Sequence, residues 1–393
     1  MGPTIDVRTT EGWQTIEAHL PEGLEAIAKE KKVLEVQYGD AKITSARDLL
    51  RLILLHAGAD IGLRQTVALA AEGGLPSVSH VALHRKMRLS APFLRELVGR
   101  LTRGADDATS PERWGGYEVL AIDGSSFCGP GADGTDARVH LQLRLSDLEI
   151  VGVAIEDRSV GESFKRFTWK PNQLALGDRG YANPPGIASV VEDGGDVLVR
   201  VNRRALPMAT RDGEPLDLMA WLRSLKGHAP REQPVVVYSR EHQREIEGRL
   251  VAMRLPAAEA EKARVRVRTE LGNKTSGLDL EAAQYVVLFT TAPATRLSTE
   301  MSLALYRLRW QVELAFKRWK SLCHFDRLPK YRDDTILTWL YAKLLLALLL
   351  HRMASGASSL FPPEPQTNDA VVLDAMEGNK HPVAGPRRSA HAA

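Results

Sequence analysis

Six residues of this chain have types and spacings suited to chemistry on a phosphate. The segment "YRLRWQVELAFKRWK" (306–320) mixes rings and cations around one carboxylate, Glu313. On a helix at roughly 100° per residue, Tyr306, Arg309, Glu313 and Lys320 fall within an arc of about 60°. Leu308, Val312, Ala315 and Trp319 take the opposite side and form a docking face. A surface ion pair between Arg309 and Glu313 would explain two of these four, at about a few tenths of a kcal/mol. A metal–phosphate site explains all four. A carboxylate holds Mg²⁺, Arg and Lys neutralise phosphate beside it, and a phenol donates to a phosphate oxygen.

Two further carboxylates end apolar runs, Asp123 in "VLAIDGSS" and Asp178 in "LALGDRGY". A buried strand that stops at an aspartate puts a carboxylate at the rim of its sheet. Gly124 and Gly180 follow closely and permit a near approach of backbone or ligand. An Asp-Gly turn start is the plainer reading of either run alone. Two in one sheet favour an acidic site, and two metal ions roughly 4 Å apart would stabilise both oxygens of an in-line displacement.

The elements that must position these residues follow from periodicity. Residues 15–103 repeat apolar positions at helical spacing, with a stop at Gly73-Gly74 and a basic helix after "LPSVSH". That pattern fits a DNA-binding helix-turn-helix and a plain helical bundle about equally. "RGADDATSPERWGG" (103–116) has linker composition. From 117 the period changes, with strands expected at 117–123, 137–146, 148–157, 172–178 and 196–202 and a proline-started helix over 183–195. Together they predict a mixed α/β sheet. Residues 203–296 read as a β-rich insertion that includes an exposed basic strand at 263–269, whose charges would also protect a sheet edge. Beyond Met353 periodicity is lost, and a flexible tail is expected over 356–393.

Composition narrows the class. The 393 residues are 44% hydrophobic and 26% charged, with a net charge of +3 that is too small to decide anything alone. Cations cluster at Arg203-Arg204, Arg264, Arg266, Arg268 and 317–320, which suits a polyanion or a solvated face. Only Cys128 and Cys323 are present, excluding a disulfide framework or a four-cysteine zinc site, and Cys323-His324 alone is a poor metal site. The first residues lack an apolar signal core. The apolar stretch 335–350 carries Lys343 and is shorter than a typical span, so it reads as a buried C-terminal helix in a cytoplasmic protein.

Tyr306, Arg309, Glu313 and Lys320, separated by two, three and six residues, resemble the Y-R-E-K signature of bacterial DDE transposases of the insertion-sequence-four family. "LAIDGSSF" and "LALGDRGYA" resemble that family's two aspartate motifs, and "GTDARVHLQLRL" its segment after the first. The resemblance covers roughly 117–202 and 297–352. It implies a ribonuclease H-like (retroviral-integrase-like) catalytic fold, an all-α N-terminal DNA-binding domain over 1–113, and a catalytic domain split into 114–202 and 297–355 by an insertion at 203–296. It implies Asp123, Asp178 and Glu313 as catalytic ligands of two Mg²⁺ ions, which Mn²⁺ can replace. Tyr306, Arg309 and Lys320 would grip DNA phosphates. The partners implied are double-stranded DNA, as terminal inverted repeats and target, and a second copy in a homodimeric synapse. The chemistry implied is strand cleavage, hairpin formation and strand transfer. Relatives stack a flipped base on an aromatic of the insertion, but Trp221, the tryptophan of this segment, reads better as core packing. A DNA-binding relative that no longer cuts, and a general ribonuclease H-like nuclease, are the competing readings.

Overall fold

The computed structural model describes residues 6–35, 42–103, 114–127, 137–157, 161–323 and 333–356. The 356–393 tail expectation, apart from Gly356, and the Cys128 and His324 side chains lie outside them.

Five helices come first: α1 (Thr10–Glu17), α2 (Leu24–Glu30), α3 (Ala46–Ala59), α4 (Leu63–Glu72) and α5 (His80–Arg103). Ser45 starts α3 by accepting from the Asp48 amide, and Gly74 closes α4 at φ +76°, a conformation costly for any residue with a Cβ. Strands β1 (Glu118–Phe127), β2 (Ala137–Arg144), β3 (Ile150–Asp157) and β4 (Gln173–Gly177) follow, then α6 (Pro184–Glu192) and β5 (Asp196–Arg200). Next come α7 (Leu218–Ser224), β6 (Arg231–Ser239), β7 (Arg244–Arg254), α8 (Ala257–Leu271), α9 (Gly277–Ala282) and β8 (Tyr285–Thr290). The chain finishes with α10 (Thr299–Arg307), α11 (Trp310–Cys323) and α12 (Asp333–Gly356).

The described strands form one eight-stranded sheet in the order β3-β2-β1-β4-β5-β8-β7-β6. β1, β4 and β5 run parallel, and the remaining pairings are antiparallel. Alternation along each strand sorts side chains onto two faces. Val119, Ala121, Leu141, Leu174, Leu176 and Leu198 join one core with α3, α5, α11 and α12. Leu120, Ile122, Ala175, Val197 and Val199 join a second core with α6 and α7. The result is a sheet covered by helices on both faces.

α12 is the apolar C-terminal helix. Its Thr335–Met353 stretch has a mean hydropathy of 1.4, long and apolar enough by composition to cross a membrane, yet it is mostly buried inside the protein. It packs on α5 and α3, where the Thr338 hydroxyl donates to the Met87 carbonyl and Arg352 to the Leu101 carbonyl. Lys343 is buried within it and pairs with Asp60 at the end of α3. The N-terminal helices and the C-terminal helix therefore share a core.

Three expectations are corrected. β1 does not stop at Asp123 but continues to Phe127, because residues 124–127 pair with 137–140 of β2. The basic segment 263–269 is helical, inside α8. Alanine, glutamate, lysine and arginine around it favour helix, and Lys262–Glu259 and Arg264–Glu261 pair at helical spacing. Val267 is nearly buried while Val265 is 51% exposed, so the alternating valines do not share a face. Finally, 306–320 is not a single helix: α10 ends at Arg307 and α11 begins at Trp310. Amides 308, 309, 311 and 312 bond three residues back, tightening the chain into a turn. α10 packs on β5 and β7 whereas α11 packs on β1 and β2. Residues 203–296 contribute β6–β8 to the same sheet, as well as α7–α9.

Candidate active site

The aspartates are placed by strand register. β1 and β4 pair in parallel as far as Ala121↔Leu176, and Asp123 and Asp178 each lie two residues beyond that last pair. Asp123 shares the parity of Val119 and Ala121, the face that meets α11. Val312 and Phe316 are the buried docking residues of α11, while Leu308 and Ala315 are half-buried. Trp319 has a side chain outside the described residues. Asp178 caps the turn after β4, its Oδ1 accepting from the Gly180 amide at 2.8 Å.

Glu313 lies in the first turn of α11 and forms an ion pair with Arg309, which sits in the turn between α10 and α11. Tyr306 is buried at the end of α10, with the Arg309 guanidinium 5.9 Å from its ring centre. The turn thus brings Tyr306, Arg309 and Glu313 together, although no common helix face does. Lys320 stands apart, its ammonium 5.4 Å from the Phe127 ring centre at the far end of β1.

The electrostatics are those of crowded, half-buried carboxylates. Burial pushes the Asp123 carboxyl up to about 7; Arg309 opposes this, while Asp178, Glu313 and Glu162 add to it. Burial works against the Arg309 charge, but Tyr306, Glu313, Asp123 and Asp178 outweigh it and raise its pKa. Burial likewise raises the Tyr306 phenol. Arg309 Nη1 is buried without a hydrogen-bond partner, a cost that an incoming acceptor would relieve.

Among the described residues, no three His, Cys, Asp or Glu side chains stand close enough to hold one metal ion as they are placed. The donor set nevertheless fits a hard divalent cation. Carboxylates are its natural ligands. Glu313 would have to exchange Arg309 for the metal.

The structure adds groups that the sequence alone did not single out. Arg179 and Arg200 line a cavity of about 300 Å³ beside the site, with Asn202, Glu270 and Tyr285. Burial holds Arg200 down to about 10, with Arg179 adding to that effect. On the other face of the sheet, buried His140 and Tyr181 bond to each other at 2.8 Å. Glu162 Oε2 lies 1.6 Å from where a Cβ on Gly180 would sit, so the Glu162 side chain packs directly over this glycine. The short runs "DRGY" and "VRVN" held these positions in plain sight, but nothing in their spacing distinguished Arg200 or Tyr181 from ordinary strand and turn residues. Trp221 is half-buried on α7 and packs against the second core.

Residues 114–350 match the family described as Transposase DDE domain. The chain is 30% identical over 362 residues to the putative transposase InsL for insertion sequence element IS186A of Escherichia coli (strain K12), covering 90% of this chain and 96% of that protein. It is 30% identical over 363 residues to the transposase for insertion sequence element IS421 of Escherichia coli, with the same coverage. A shorter match, 36% identical over 92 residues, covers 23% of this chain and 18% of the transposase for IS231F of Bacillus thuringiensis subsp. israelensis.

Proposed function

The chain belongs to the DDE transposases of bacterial insertion sequences, of the insertion-sequence-four family, and from that premise we propose a cut-and-paste mechanism and a role for each site residue. Membership makes it an enzyme acting on DNA, with a ribonuclease H-like fold and a dependence on divalent metal ions. The sheet order β3-β2-β1-β4-β5 agrees with that fold.

What supports this is the parallel β1–β4 ladder, whose last pair, Ala121↔Leu176, lies two residues before each aspartate, with α11 packed on β1. We assign Asp123, Asp178 and Glu313 to holding two Mg²⁺ ions, with Mn²⁺ as a substitute. When bound, these ions would stabilise the attacking and leaving oxygens of phosphoryl transfer. Arg309, already beside Glu313, would pass its guanidinium to a phosphate oxygen, where its fork gives two bonds. Tyr306 donates its phenolic proton to phosphate; its raised pKa keeps that proton in place near neutral pH. Lys320 meets the backbone farther along the strand as a point charge. Water attacks the phosphorus at the transposon end, displacing a 3′ oxygen that leaves as a hydroxyl. That hydroxyl attacks a phosphorus of the opposite strand, closing a hairpin as the flanking strand leaves with a 3′ hydroxyl, and water reopens the hairpin before joining to target DNA. The N-terminal helices (1–113) bind the terminal inverted repeats, two copies form the synapse, and the work is done in the cytoplasm. On this reading 114–202 and 297–355 make one catalytic unit interrupted by 203–296.

The test incubates the purified chain and Mg²⁺ with duplexes bearing the inverted repeats that flank its gene. Nicks followed by hairpins are expected, and Glu313→Gln should remove both while sparing binding. Binding without any nicking would mean a silent DNA-binding relative. Equal cutting of unrelated duplexes would mean a general nuclease.

A further inference from the structure

The β1–β4 ladder ends at Ala121↔Leu176, so no strand pairing fixes the Asp178 turn to the Asp123 segment. β2, by contrast, pairs with β1 continuously from Leu120 to Phe127, past Asp123. The contact between Tyr181 and His140 spans this gap. Tyr181 closes the short helical turn that Asp178 caps, and His140 stands opposite Gly124 on β2. Their bond, Tyr181 Oη to His140 Nδ1 at 2.8 Å, passes over Gly124. A Cβ on Gly124 would sit 3.0 Å from His140 Nδ1 and 3.4 Å from Tyr181 Oη, so the glycine leaves the space that the bridge crosses.

The surroundings argue that the polar bond is kept for something other than packing. Both side chains are fully buried among Leu120, Ile122 and Phe164, where apolar residues would pack without desolvation cost. His140 Nε2 has no hydrogen-bond partner, which adds to that cost. The Tyr181 ring lies 5.2 Å from the Phe164 ring at 35°, and its Cβ and the Phe164 ring edge both close on Gly177, leaving no room for a Cβ there. The tyrosine is thereby locked at one rotamer, and its hydroxyl reaches a single place.

We propose that His140 and Tyr181 are positioning residues, a clamp from the Asp178 turn to β2 that holds the two aspartates at the separation needed to share a divalent cation. This rests on the assignment of Asp123 and Asp178 as metal ligands. The carboxylate of Asp123 lies on the opposite face, so the clamp acts through the backbones of 123–124 and 178–181.

Mn²⁺ binding to the full chain, followed by the loss of free-ion electron paramagnetic resonance signal, tests this without any reaction. Tyr181→Phe keeps the ring and removes only the hydroxyl; His140→Leu removes the other partner. Each should weaken Mn²⁺ binding by tenfold or more while melting close to the unaltered chain. His140→Asn places an amide near the lost Nδ1 and should recover much of the affinity. Tyr181→Phe and His140→Leu binding within twofold of the unaltered chain would overturn the clamp, and so would His140→Asn performing no better than His140→Leu, which would leave only a packing role. Asp123→Asn separates the two ideas: if it binds Mn²⁺ unchanged, the carboxylate assignment fails and the clamp falls with it. If it abolishes binding while the clamp variants do not weaken it, the clamp alone fails.

Discussion

Two regions of this transposase bury charge, and they balance it differently. In the core between the N- and C-terminal helices, Lys343 is 1% exposed, meets Asp60, and stands 4.9 Å from the centre of the Trp339 ring. At the proposed active site, burial raises the Asp123 carboxyl, Arg309 opposes this, and Asp178, Glu313 and Glu162 add to it. The first arrangement matches a cation with an anion and ties two helices together. The second crowds carboxylates where burial already makes ionisation costly, a cost that a bound cation would offset. Charge balance thus separates a structural pair from a site built for a ligand.

The largest effect should come from breaking the unbalanced site. Asp123→Asn or Glu313→Gln should lower nicking by roughly 10³-fold or more, the several kcal/mol of charge stabilisation that metal ions supply. Binding to the inverted repeats, measured by gel shift in the absence of divalent ions, should stay within a few-fold. Retained nicking would return Glu313 to the role of an ion-pair partner.

Asp123→Asn should also act in the opposite direction on stability. The folded protein holds the Asp123 proton with a pKa of about 7, above the ordinary carboxylate value of 3.8. The folded state therefore binds more protons than the unfolded state between those limits, and stability falls as pH rises from about 4 through about 7. The full cost, on the order of 4 kcal/mol, is present at pH 8. Metal-free Asp123→Asn should accordingly melt higher than the unaltered chain at pH 8, with the difference vanishing near pH 4. Mg²⁺ should raise the melting temperature of the unaltered chain at pH 8 and leave Asp123→Asn unmoved. Calorimetry at the two pH values reads both results.

How much of this was legible in the sequence depended on whether local pattern or distant packing decided the outcome. The aspartate motifs announced themselves because apolar runs bury strands, and a glycine follows each aspartate within two residues. The turn at 308–309 carries no glycine or proline. It exists because α10 and α11 dock on different strands, a fact that no window of fifteen residues contains. α8 was misread because "ARVRVRT" alternates over seven residues while the helix around it runs for fifteen. The clamp was hidden for a related reason. Alternation in "ARVHLQLRL" suggests that His140, Gln142 and Arg144 face water, yet all three are buried. Residue types and helical spacing suggested phosphate contacts for Tyr306, Arg309 and Lys320, but the grouping of Tyr306 and Arg309 with Glu313, and the separation of Lys320, depend on that same turn.

On the balanced side of the comparison, Lys343→Ala should cost about 3 kcal/mol, because it strands the Asp60 carboxylate and opens space in α12 packing. Asp60 is 26% exposed, and water tempers the loss. Chemical denaturation should show a lower midpoint with an unchanged slope.

The smallest expected effect is the most diagnostic. Lys343→Met combined with Asp60→Asn removes both charges while keeping the length of the buried side chain. If the pair is merely structural, its desolvation cost and its attraction nearly cancel, and the double variant should lie within about 1.5 kcal/mol of the unaltered chain. Nicking of the inverted repeats should not change, since no reacting group lies between α3 and α12. A double variant that folds normally but loses cleavage would show that this pair, too, serves the reaction, for example by setting how the N-terminal helices present DNA to the sheet. Charge balance would then no longer distinguish the two regions, and the contrast would have to rest on geometry alone.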